Sequence, residues 1–357
     1  MSFRRWLSIF SFVAIVVLLI FSWKDITKAW RLLEQVQLLV LLLIIPVQIF
    51  SFYASGEILA SFLRNKGELK GVSRAEVARF SLEFNFVNHI LPSGGLSGAS
   101  YANWRFKHMG VSVARVTLAN ALRFLVQFVV FIILLVLAVL ALALDGNINR
   151  LTLLFASTLS TLIIVTTLLF LYVVSSRSRS NSFGRQIIRV VNGLARKFLR
   201  RKNLVSNAKV EAFMGQMHND YLELRKTPRQ LLAPFVWAFI YTVLEIGLFM
   251  VVFASLHSFV NPAAMLIAYG FAGAAGIFVA TPGGAGAYEA VMISFLSSAG
   301  IPQETAIAGV LLTRVIIILI TITSGYVFYQ LTLVKYGRAP NTKPDEIADE
   351  PPRDRHS

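Results

Sequence analysis

No cysteine occurs anywhere in the 357 residues, which excludes disulfides, thiolate catalysis and cysteine-bound metal from the outset. Charge is scarce as well, at 15% of the chain, and acids are scarcer still: 18 Asp and Glu stand against 34 Lys and Arg. A soluble domain of this size needs more polar surface than that to cover its core. His89, His108, His218, His257 and His356 are scattered, with no spacing that would hold a metal. There is no nucleotide-binding glycine loop, serine triad or aspartate cluster. No cofactor, metal site or catalytic residue is therefore expected.

Long apolar runs fill the space those absences leave. The chain is 56% hydrophobic with a mean hydropathy of +0.67; Leu151 to Val174 carries no charge over 24 residues and Phe124 to Leu144 none over 21. About twenty apolar residues match the bilayer core at helical rise. The fold class is all-α, a polytopic integral membrane protein. The net charge of +16 reads as basic loops and contact with anionic headgroups rather than as a nucleic-acid surface.

Six continuous spans are expected at 6–23, 36–63, 116–144, 151–174, 231–256 and 304–334. The first follows Arg4 and Arg5, is too long for a usual signal sequence and lacks a cleavage pattern, so it reads as a retained helix. Two further apolar segments, 72–109 and 262–299, are each 38 residues long. Each is broken at the same internal place, by Pro92 or Pro282, and each stops just before a glycine, Gly110 or Gly300. Both read as re-entrant hairpins.

Basic residues set the orientation. Segment 64–79 holds Arg64, Lys66, Lys70, Arg74 and Arg79, and 175–230 holds thirteen Lys/Arg against three acids, whereas 145–150 and 257–261 share only Arg150. Both termini are thus expected on the cytoplasmic side. The order span, span, hairpin, span occurs twice, in units of about 6–144 and 151–334 within a membrane domain 1–335. Each unit crosses three times, so the second must be inverted relative to the first, the usual signature of transporter architecture. A cytoplasmic insertion, 175–230, carries an amphipathic helix at 183–202: Phe183, Ile187, Val191, Leu194 and Phe198 on one face, Arg185, Arg189, Arg196 and Arg200 on the other. That pattern predicts a helix lying on an anionic bilayer. The tail 336–357 is rich in proline and charge and is expected to be disordered.

Two stretches carry the chemistry. Asn88-His89-Ile-Leu-Pro92-Ser-Gly94-Gly95 and Thr281-Pro282-Gly283-Gly284-Ala-Gly286-Ala-Tyr288-Glu289 interrupt membrane segments. Irregular backbone at that depth survives only where protein buries it or water reaches it, and the returning helices would aim free N–H groups and a positive dipole end at the break. Close packing by small residues is the plainer reading, and it suits Gly270, Gly273 and Gly276. Ionisable residues inside apolar runs are the second signal: Arg123, Glu245, Glu289 and Arg314. An unpaired charge at the bilayer centre costs on the order of 3 kcal/mol or more, so these face the interior. They are either two structural Arg–Glu pairs or ligands of a substrate, with arginine the better grip on phosphate. Asn120, Arg123 and Gln127 form one polar stripe, while Glu34, Glu57, Glu68 and Glu76 read as solvated surface charge.

At the two breaks and the arginines that follow them, the sequence resembles the lysylphosphatidylglycerol synthase transmembrane region, a flippase-like membrane family. The matching residues are Asn88 through Gly95 with Gly110 and Arg123, then Thr281 through Gly286 with Glu289, Gly300 and Arg314. The resemblance spans roughly residues 5 to 335. It implies a protein of the bacterial inner membrane that moves the polar head of an anionic, aminoacylated or polyprenyl-linked lipid between leaflets, with membrane lipids as partners and a separate lipid-modifying synthase as another. No synthase domain follows the last expected span, so synthase activity is not carried over. A membrane-embedded transferase and a non-catalytic partner of an envelope-synthesis complex are the competing classes. The substrate-binding set is expected to comprise Asn88, Pro92, Gly94, Gly95, Arg123, Glu245, Pro282, Gly283, Gly284, Gly286, Tyr288, Glu289 and Arg314.

Overall fold

The computed structural model describes residues 36–90, 96–144, 150–199, 207–277 and 286–336, and these are helices and short connections with no strand among them. A one-turn helix, Leu38–Leu41, leads into α1, Ile44–Asn65. Then follow α2 (Arg74–Ile90), α3 (Leu96–Lys107), α4 (Val113–Leu144), α5 (Arg150–Val174), α6 (Arg177–Leu199) and α7 (Asn207–Lys226). A 3-10 turn, Pro228–Leu231, opens α8 (Leu232–Ser255), and α9 (Pro262–Ile277), α10 (Ala287–Ser298) and α11 (Gln303–Tyr336) complete the order.

Of the six expected spans, 6–23 lies outside the described residues, as does the tail from 337. Four helices are long and apolar enough to cross a membrane: Leu38–Asn65, Arg115–Leu144, Pro228–Ser255 and Gln303–Tyr336. The expected span at 151–174 is α5; it makes a fifth crossing when taken with the start of α6, from which a bend of 112° separates it. Leu38, Leu39, Leu137, Leu140, Leu168 and Leu232 point outward, as they must where the surroundings are as apolar as the core.

The two broken segments are hairpins. α2 packs on α3 and α9 packs on α10, each pair being too short to cross as one straight helix. Equivalent features recur at one spacing: the opening turns begin at 38 and 228, the crossing helices end at 65 and 255, and the long helices begin at 113 and 303. The offset is 190 each time. Gly110 and Gly300 share it too, both at positive φ (86° and 94°). There the Gly110 N–H donates to Lys107 O and the Val111 N–H to Phe106 O; the Gly300 N–H donates to Ser297 O and the Ile301 N–H to Leu296 O. This is one glycine-dependent helix stop, built twice.

The sense of the two units follows from how α1 meets its own equivalent, α8. The Gln37 N–H donates to Ser255 O at 2.9 Å, Ser51 Oγ to Glu245 Oε1 at 2.5 Å, and Asn65 Nδ2 to Gln230 O at 3.0 Å. The start of one helix meets the end of the other, so equivalent helices run antiparallel and the units are inverted. Packing obeys the same exchange: α11 lies along the first hairpin and α4 along the second. Tyr329 and Leu333 of α11 complete the core around Phe80, Phe84 and Phe106; Leu135 and Leu142 of α4 complete the one around Met265, Phe295 and Leu296.

One sequence reading is corrected here and another is extended. Glu57 is not surface charge: it is fully buried, gripped by Arg64 through both nitrogens at 3.1 Å, and accepts from Tyr53. Arg64 lies two helical turns on and reaches back, a pairing that helix-end position alone conceals. The amphipathic helix is α6, but its buried stripe is Ser180, Gly184, Ile188 and Asn192, set against Val210 and Met214 of α7, while Phe183 stays exposed. Small residues let α7 approach, so α6 is half of a helical hairpin, with Phe183, Arg185 and Arg189 left outward; residues 200–202 lie outside the described residues.

Candidate functional site

α1 carries a polar stripe, Gln48, Ser51 and Ser55, at i, i+3 and i+7, all essentially inaccessible. Across from it on α8 stand Tyr241 and Glu245, which the offset of 190 makes the equivalents of Ser51 and Ser55. Ser51 bonds Glu245, the equivalent of Ser55. The inversion axis therefore passes among these four side chains, midway between the two faces of the molecule.

Arg123 of α4 reaches this axis. Its Nη2 donates to Ser55 Oγ at 3.3 Å and its guanidinium lies 4.5 Å from the centre of the Phe84 ring. The residue is 6% exposed, its Nε meets no acceptor, and no carboxylate among the described residues pairs with it. Glu245 is likewise held by hydroxyls, from Ser51 and from Tyr269 at 3.2 Å, rather than by a paired cation. Of the two ion pairs the sequence allowed, this one does not form.

The other does. Arg314 Nε donates to Glu289 Oε1 at 2.8 Å, and the arginine stacks 4.5 Å over Tyr288. Glu289 Oε2 also accepts from the Gly286 N–H at 2.6 Å, closing the first turn of α10. Gly286, at φ 94°, permits that turn. Both carboxylate oxygens thus have protein partners. Arg314 lies within Coulombic reach of Glu245 and of His89, in the last turn of α2. Arg314 thus ties α11 to the first turn of α10 through Glu289.

The structure brings together Arg123, Glu245, Tyr288, Glu289 and Arg314 with Ser51, Ser55, Tyr241 and Tyr269. Asn88 packs against Gly98 of α3, where a Cβ would strike its amide, and its Oδ1 is buried without a partner. Pro92, Gly94, Gly95, Pro282, Gly283 and Gly284 lie outside the described residues. Gly273, expected to serve close packing, has open space where a Cβ would stand; tight approaches are instead at Gly56 on Ser81, Gly309 on Phe253 and Gly325 on Phe86, besides Gly98. Sequence reasoning missed the α1 stripe, whose i, i+3, i+7 spacing was the available signal.

It also missed a second buried cluster. Glu83 of α2 is fully buried and accepts from Arg79 Nε (2.9 Å), Arg105 Nε (3.3 Å), Tyr101 (2.6 Å) and Thr332. It ties α2, α3 and α11 together. Among the described residues, no group of three or more His, Asp or Glu could hold a metal ion. Residues 6–325 match the model of the family described as Lysylphosphatidylglycerol synthase TM region. No curated protein matches the chain.

Proposed function

We propose that the chain, which belongs to the Lysylphosphatidylglycerol synthase TM region family, carries the anionic head of a membrane lipid between leaflets without covalent catalysis. It is a membrane protein of a family named for lipid biosynthesis; the cargo and the movement are our reading. The observation that carries it is Arg123, a buried cation on the inversion axis whose Nε meets no acceptor and which has no carboxylate partner among the described residues. Such a group is costly in a bilayer unless an anion joins it, and guanidinium suits phosphate. Glu245 of α8, held by Ser51 one helical turn along α1 from the Ser55 that meets Arg123, balances the field. Acyl chains stay among the outward-facing leucines while the head crosses through the polar axis.

The basic segments 64–79 and 175–230 support a bacterial inner-membrane orientation with both termini cytoplasmic. A separate synthase would supply a modified lipid. The test is headgroup translocation in liposomes holding the purified protein, across phosphatidylglycerol, aminoacylated and polyprenyl-phosphate lipids. Wild type should exceed empty vesicles for at least one of them, and Arg123→Gln should lower that rate at least about tenfold. Rates equal to empty vesicles for all of them refute the reading.

A further inference from the structure

The two units correspond in sequence position to within a few residues but not in packing. α4 lies closely along α8, through Val126 and Val130 against Ala238 and through Leu135 and Leu142 near Phe249 and Phe253. The equivalent pair, α11 with α1, meets far less extensively. α1 likewise packs closely on α2, whereas its counterpart α8 packs loosely on α9. The hairpin–long-helix pairs, α2 with α11 and α9 with α4, are both extensive. An inverted repeat that packs unequally has a second state available, in which each unit adopts the other's arrangement.

We infer that the protein alternates between this state and its exchanged counterpart, and that the switch is a change of partners at the axis. In the present state Arg123 holds Ser55 and Ser51 holds Glu245. Subtracting or adding 190 gives the exchanged contacts: Ser55 with Tyr241, and Glu245 with Thr313. Ser55 thus passes from Arg123 to Tyr241, releasing the guanidinium, while Glu245 passes from Ser51 to Thr313. Thr313 is fully buried and its hydroxyl now donates to its own helix, at Gly309 O, 2.6 Å away; the exchanged state gives its hydroxyl a carboxylate partner. α4 withdraws from α8 and α11 closes on α1. The α2–α11 and α4–α9 pairs move as units. This does not depend on the cargo being a lipid.

The cysteine-free sequence allows a direct test. Val126→Cys with Ala238→Cys reports the present state; Ile316→Cys with Gln48→Cys, each shifted by 190, reports the exchanged one. Both pairs flank residues 200–206, so cleavage at a protease site placed there, in protein held in liposomes, shows which halves remain joined by a short bifunctional maleimide. Both pairs should cross-link. Ser51→Ala should shift yield from the first pair to the second, and Thr313→Val the other way, each by about fivefold, as loss of one hydrogen bond dictates. If Gln48→Cys does not fold, single-cysteine labelling replaces the pair: Val126→Cys should gain and Ile316→Cys lose reactivity with Ser51→Ala. Failure of the second pair to cross-link in well-folded protein overturns the inference, as does indifference of both pairs to Ser51→Ala and Thr313→Val. Reciprocal cross-linking without lipid movement upholds it and refutes the lipid reading instead.

Discussion

Arg123 and Glu83 represent two ways of burying charge. Glu83 has four donors around it, so removing its charge strands Arg79 and Arg105 together. Glu83→Gln should cost roughly 3–5 kcal/mol, seen as a large fall in melting temperature in detergent, with no rescue by anionic lipid. Arg123→Gln, by contrast, relieves an incompletely satisfied cation and should leave the melting temperature nearly unchanged while abolishing any gain from added anionic lipid. Arg123 was legible in the sequence because an arginine inside an apolar run stands out. Its lack of a carboxylate was not, since Glu245 lies 122 positions away and its true partners are hydroxyls. Serines 51 and 55 pass unnoticed because serine is ordinary in membrane helices, and Glu57 misleads because its partner lies two turns further on.

Elements were easier to read than their contacts. Hydropathy marks long helices plainly, and proline with glycine marks the interrupted ones, so α1, α4, α8, α11 and both hairpins fall close to where the sequence places them. What periodicity left out was the seat of α6 against α7. A stripe of small residues, Ser180 and Gly184, decided it by letting α7 in, and small residues carry little weight in an amphipathic pattern. At the helix stops, Gly110→Ala and Gly300→Ala each force a side chain into the left-handed region. Each should lower stability by about 1–2 kcal/mol, measurable by thermal unfolding, and the two losses should be alike and additive because the sites are distant.

At the scale of the whole molecule, inversion fixes which connections share a side. A cysteine at His257, in the connection between α8 and α9, should react from outside with an impermeant maleimide. One at Gly67, between α1 and α2, should react only after permeabilisation. Labelling of both from the same side would contradict the inversion.

The Glu83 cluster has no twin. Its equivalents 190 positions on or back are Tyr269, Gly273, Val291, Phe295 and Leu142, an apolar seam where the first unit has an ionic knot. Were the halves identical, the present and exchanged arrangements would be equally populated, by symmetry alone. Any resting preference between the two proposed arrangements would therefore rest on mismatched twins, the one-sided ionic knot at Glu83 among them.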